Sequence, residues 1–222
     1  MKTTNMTLIL VLAVTLAVAA CGCIVPDAPD TPEIPDTPVP PVPTPTKTPV
    51  PTTSAPQSIA DLLPSDDLPG TFELRAVIDE NTPGSLNATE EALSMVSGNL
   101  SIGDIHAAQG IYIFNDGLYD VHITIAECTD SVNAANAVEN YKNQPAFEKN
   151  PSKTVSRFGS VEFNGHEATE VRMKPQGDGV RYGYVWSSGN YVYILGPGTD
   201  DRQASLQLAQ MIGDGGAIIS EA

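Results

Sequence analysis

The chain has 222 residues, with 27 acidic against 11 basic side chains and a formal net charge of −16 at pH 7. Charge of that sign repels nucleic acid and anionic lipid surfaces, which excludes both as electrostatic partners. Its three cysteines, Cys21, Cys23 and Cys128, have no metal-ligand spacing, and Cys21-Gly22-Cys23 is one residue short of a C-x-x-C pair.

The N-terminus reads as a targeting segment. Lys2 is followed by an apolar run, Leu8 to Ala20, broken only by Thr15. That run suits a secretory signal and is too short for a bilayer span, which needs roughly 20 apolar residues. Val18-Ala19-Ala20-Cys21 resembles the lipobox of prokaryotic lipoproteins. The resemblance implies removal of residues 1–20 and lipid on Cys21 as the membrane anchor, stable when more than one acyl chain is attached. An ordinary cleavage after an A-x-A-like site such as Ala17-Val18-Ala19, leaving Cys21 unmodified, is the alternative.

Residues 24–57 hold twelve of the nineteen prolines and seven threonines, with few large apolar side chains. Such a segment cannot bury enough surface to fold, and its prolines favour extended polyproline II. At roughly 3.1 Å per residue it holds a domain up to about 100 Å from an anchor. Residues 21–57 are therefore expected to be a lipidated cysteine and a disordered stalk, suited to O-glycosylation. Four acidic and two basic residues precede Ser58, so residues 58–222 keep 23 acidic and nine basic side chains. That stretch is long enough for one domain, expected over 58–213 with a flexible tail at 214–222.

Ile59 to Leu63 reads as a helical turn ended by Pro64, and Thr71 to Ile78 as a strand with Phe72, Leu74, Ala76 and Ile78 on one face. A helix follows over Thr89 to Val96, with Glu90 and Glu91 in its first turn. Ile111–Phe114 and Leu118–Ala126 flank Asn115-Asp116-Gly117, a strong hairpin signal. Thr129-Asp130 then caps a helix to about Tyr141, with Val132, Ala135, Val138 and Tyr141 at helical spacing.

Val155–Phe163 and Glu167–Met173 flank Asn164-Gly165, another favoured hairpin turn. Arg181–Trp186 and Tyr191–Leu195 make a further pair, and Thr199-Asp200 caps a helix carrying Ala204, Leu208 and Met211 on one face. Hairpin, Thr-Asp cap and helix thus occur twice, from Ile111 to Tyr141 and from Tyr182 to Ile212. The expected fold is α+β: an antiparallel sheet of six or seven strands with helices packed across it, built from two hairpin–helix halves. This layout, with Leu62-Leu63-Pro64 and the Val161–Ala168 hairpin, resembles the PsbP-type α/β/α sandwich found in secreted prokaryotic lipoproteins. The resemblance implies a fold and assigns no functional residue.

His122 alternates with Val121, Ile123 and Ile125 and shares a face with Asp120 and Thr124, so it is the candidate general base or metal ligand. A solvated or helix-covered strand histidine is the simpler reading. His166 follows a turn and reads as exposed, and His106 falls in the loop before the first hairpin. No nucleophile elbow, P-loop, HExxH pair or calcium loop is present, and no catalytic residue, cofactor or metal is assigned. Asp66-Asp67, Asp79-Glu80 and Asp200-Asp201 lack calcium-loop spacing, and Asp200 reads as an N-cap.

Tyr182, Tyr184 and Trp186, with Tyr191 and Tyr193 on the partner strand, form either a stacking platform for a ligand or partner, or cross-strand pairs beneath a helix. Asn87-Ala88-Thr89 and Asn99-Leu100-Ser101 are glycosylation sequons. The expectation is an outward-facing lipoprotein of an archaeal rather than Gram-negative envelope. It would act without catalysis, as a binding or accessory module for a protein or small-molecule ligand. A surface hydrolase or metal-dependent enzyme near His122, and a structural component of an envelope complex, are the alternatives.

Overall fold

The computed structural model describes residues 58–83, 87–115, 117–176 and 178–215. The expected signal segment (residues 1–20), Cys21, the expected stalk and residues 216–222 lie outside the described residues. Among the described residues there are seven strands: β1 (Glu73–Ile78), β2 (Ile105–Phe114), β3 (Tyr119–Cys128), β4 (Phe158–Phe163), β5 (His166–Met173), β6 (Arg181–Ser188) and β7 (Tyr191–Thr199). They form one open antiparallel sheet in the order β1-β2-β3-β7-β6-β5-β4. The helices are α1 (Ala88–Val96), α2 (Ser131–Lys142) and α3 (Arg202–Gln210). The α+β class and seven strands agree with the sequence pattern.

Both faces of the sheet are covered. Ala88, Ala92 and Val96 of α1, with Ala134, Ala137 and Tyr141 of α2, bury against Ala107, Ala126, Val185 and Ile194. On the opposite face Ala204, Leu208 and Ala209 of α3, with Leu62 and Leu63, bury against Ile123, Ile125, Tyr184 and Leu195. The hairpin–helix unit does occur twice, yet its helices go to opposite faces. Val132 of α2 is 67% exposed, because the small side chains Ala134 and Ala137 let the helix approach the sheet and turn Val132 outward.

Asn164 and Gly165 take φ of 50° and 78°, the left-handed pair that a two-residue hairpin needs to match strand twist. At Arg75 a bulge in β1 shifts the register between Leu74 and Ala76. It breaks the expected one-sided alternation: Phe72 and Leu74 face α3, while Ile78 faces α1 and α2. β2 begins at Ile105, six residues before the apolar run, and so takes in His106, which is in a strand and not a loop. β4 starts at Phe158, three residues later than its pattern suggests.

The caps also differ in detail. Asp130 caps α2 through Asn133 N at 2.8 Å, while Thr129 Oγ1 donates to the Asp104 carbonyl. Asp201, not Asp200, caps α3 by accepting from Ala204 N at 2.9 Å, and Thr199 Oγ1 accepts from Asp201 N. Asn140, buried between α1 and α2, donates to the Val96 and Leu100 carbonyls and accepts from Leu100 N, which ties the end of α1 to α2. Beyond α3, Gly215 N donates to Tyr193 Oη at 2.9 Å, and Asp214 lies 3.3 Å from His166 Nε2.

Candidate cleft around His122

β3 presents Val121, Ile123 and Ile125 to the α3 side, so the pleat turns Asp120, His122 and Thr124 to the α1/α2 side. On β2, Gln109 lies directly opposite Thr124 and Ile111 opposite His122. α1 and α2 cover the apolar end of this face, where Ala126 and Cys128 sit. The end that carries the polar stripe is left as a cleft of about 470 Å³. His122 lies in it, half-buried, with Asp120 and Thr124 as the alternation predicted.

The remaining walls are not legible as a motif. Glu91 and Met95, one helical turn apart, come from α1; Tyr141 from α2; Met173 from β5; Ile194 and Gly196-Pro197-Gly198 from β7. β7 does not stop at Leu195. It bulges through Gly196-Pro197-Gly198, so that Tyr184 pairs with Leu195 but Tyr182 with Thr199. The bulge requires glycine at its close approaches. A Cβ on Gly183 would stand 2.4 Å from the Leu195 carbonyl oxygen, and one on Gly198 2.4 Å from that of Asp120. Bulges of this kind re-aim strands beside functional sites.

Gln109 is 1% exposed and Thr124 2% exposed, and Gln109 Nε2 donates to Thr124 Oγ1 at 3.2 Å. This pair is the built polar element of the cleft; the alternation along β3 places Thr124 there, whereas Gln109 was missed by sequence reasoning. Its signal was a glutamine amid Ile105–Phe114, a stretch otherwise dominated by apolar and small residues. Burial pushes the Tyr141 hydroxyl well above the usual tyrosine range, so it stays neutral. Among the described residues no hydrogen bond or ion pair holds the His122 imidazole, and no group of three or more His, Cys, Asp or Glu is placed to hold a metal ion.

The other candidates lie elsewhere. His106 faces the α3 side, 3.8 Å from Glu80, in a separate cleft of about 470 Å³ also lined by Asp79, Glu127 and Tyr191. Its histidine and glutamate side chains are largely exposed. His166 is less exposed than its turn position suggests, because Asp214 returns over it.

Of the two readings of the aromatic hairpin, the structure shows cross-strand pairs beneath a helix for its central members. Tyr184, Trp186 and Tyr193 are 0%, 3% and 1% exposed in the core under α3, leaving only Tyr182 and Tyr191 partly accessible. Phe163 meets Trp186 edge-on, with centroids 5.1 Å apart. Burying that much aromatic surface outweighs what its exposure to a partner would supply. Asn87 and Asn99 are both exposed. Asn87 Oδ1 accepts from Thr89 N and Glu90 N as the α1 cap, which leaves its nitrogen outward.

No protein-family model matches this chain, and no curated protein or solved structure matches it either.

Proposed function

We propose that this protein is a lipid-anchored, outward-facing binding module of an archaeal cell envelope, with its ligand seat in the cleft around His122. The lipobox at Val18–Cys21 and the proline-threonine segment support display away from the membrane. The single observation that carries the binding reading is the cleft itself. It combines an apolar side (Met95, Met173, Ile194 and Pro197) with a buried, oriented polar pair (Gln109 and Thr124), the composition typical of small-ligand seats.

Two measurements test this. Cys21→Ser should move the full-length protein from the membrane fraction to the soluble one; retention in the membrane sinks the anchor. Protein purified from its own membranes and then denatured should release a small molecule in stoichiometric amount. Met173→Trp, which fills the cleft from its rim, should release none. Equal release from both proteins rules the cleft out as the seat.

A second reading, a surface hydrolase with His122 as general base, draws on the position of His122 beside Asp120 in the same cleft. It requires that a folded His122→Ala variant lose a measurable activity. A binding module has none to lose.

A further inference from the structure

We propose that the His122 cleft selects an organic cation: a small molecule bearing an ammonium or guanidinium group on an apolar body. The inference rests on the cleft being a ligand seat and adds the chemistry of what it takes.

The charged side chains lining the cleft are of one sign. Glu91 enters from α1 and Asp120 from β3, and no lysine or arginine is among the lining residues. An anionic ligand would meet repulsion from both rims and from the chain as a whole, whereas a cation would be drawn in by the same field.

The second observation is independent of charge. Gln109 is 99% buried and lines the cleft. One N–H of its amide goes to Thr124 Oγ1, and its Oε1 accepts no hydrogen bond among the described residues. A buried acceptor in that position calls for a donor. His122 offers a further ring nitrogen that accepts when unprotonated. The Gln109 oxygen and the His122 ring thus add acceptors to a cleft whose charged side chains, Glu91 and Asp120, are both carboxylates, and this set suits a group rich in N–H donors.

The other wall sets the body of the ligand. Met95, Met173 and Pro197 are apolar and half-buried, and thioether side chains adapt to alkyl groups of varied shape. A bare metal ion would leave this wall without a partner. Recognition of an organic cation uses both walls at once.

The test uses the ¹⁵N-labelled full-length protein and three probes of one length: n-hexylammonium, hexanoate and hexan-1-ol. The readout is the Gln109 side-chain amide, which reports on the cleft and not on the polyanionic surface. Hexylammonium should shift it saturably, and hexanoate should not. Glu91→Gln combined with Asp120→Asn, both at exposed positions, should weaken hexylammonium at least about fivefold. Gln109→Leu, followed through the His122 and Thr124 backbone amides, should weaken it about tenfold. Equal binding of hexanoate or hexanol at that amide overturns the cation inference and leaves the ligand seat standing. Shifts that never saturate and spread over the whole chain also overturn it. Silence from all three probes overturns the inference and the seat together.

Discussion

Trp186 on β6 and Tyr193 on β7 are direct cross-strand partners, their rings stacked at 8° with centroids 4.9 Å apart. The pair lies in the core beneath α3, with Phe163 against its edge. Aromatic side chains across a sheet are the unit of its stability, and this pair joins two central strands. Trp186→Ala should therefore cost about 3–5 kcal/mol in urea unfolding of the full-length protein. Tyr182→Ala, on the half-buried rim, should cost less than half as much. Similar losses for the two would show that the stack contributes little.

Gly198 and Gly196 provide a matched contrast at the cleft. A Cβ on Gly198 meets the Asp120 carbonyl oxygen at 2.4 Å, while one on Gly196 finds only the His122 carbonyl oxygen at 3.5 Å. Gly198→Ala should cost about 1–3 kcal/mol and shift the Asp120 and His122 amide resonances. Gly196→Ala should stay within about 0.5 kcal/mol of the parent. If both are tolerated, the bulge is not held by this close approach.

Glu170 is 1% exposed on the face beneath α3, where Arg172 Nε lies 2.7 Å from one carboxylate oxygen and Arg202 Nε 2.6 Å from the other. Removing the carboxylate leaves two cations against a covered surface. Both arginines reach water, so the loss falls below that of a fully buried pair. Glu170→Ala should cost about 1–3 kcal/mol, and Arg202→Ala less, since its side chain is half-exposed. Thermal unfolding of the two variants orders them; the reverse order would move the weight of the network to Arg202.

Asn87 separates cap from sequon. Its oxygen holds the first turn of α1, so Asn87→Ala should cost about 1 kcal/mol. Asn87→Asp keeps the acceptor and removes the glycan acceptor, and should leave unglycosylated protein at parental stability. An equal loss in both variants would argue that the cap is not what Asn87 contributes.

Stability should fall on the alkaline side. Burial pushes the Cys128 thiol up to about 11 and lifts Tyr112, Tyr184 and Tyr193 above the usual tyrosine range. For each, the folded state holds its proton more tightly than the unfolded chain. The stabilisation is complete below the unfolded values, near pH 9 to 10, and is lost as pH rises through the folded ones. Urea midpoints should be flat from pH 7 to 8.5 with respect to these groups and decline above pH 9. Cys128→Ala should soften the onset; a decline identical to the parent would exclude Cys128 from it.

Much of the sheet was legible because a strand's period of two is written in its residues. Val121, Ile123 and Ile125 against Asp120, His122 and Thr124 settle which side of β3 is wet. Asn164-Gly165 settles a turn, since both positions need positive φ. Turn chemistry and pleat are local, and local preferences appear in one dimension. Gly196-Pro197-Gly198 was not legible. Glycine and proline ordinarily end a strand, and only contact with Gly183 and the Asp120 carbonyl makes them a bulge that continues it.

By itself, then, the sequence determined the α+β class, the hairpins, the helices after them and the polar stripe containing His122. The tertiary structure decided which face each helix covers, and with that the fate of every side chain beneath it. α3 covers the Trp186 and Tyr193 rings and makes core of an apparent platform. α1 and α2 cover the opposite face as far as Gln109 and Thr124 but leave His122 and Asp120 accessible, and that makes a cleft of the stripe. The reason is physical: the covering of a face is a long-range packing choice, set by which helix can bury its own small and apolar side chains there, and no local pattern carries it.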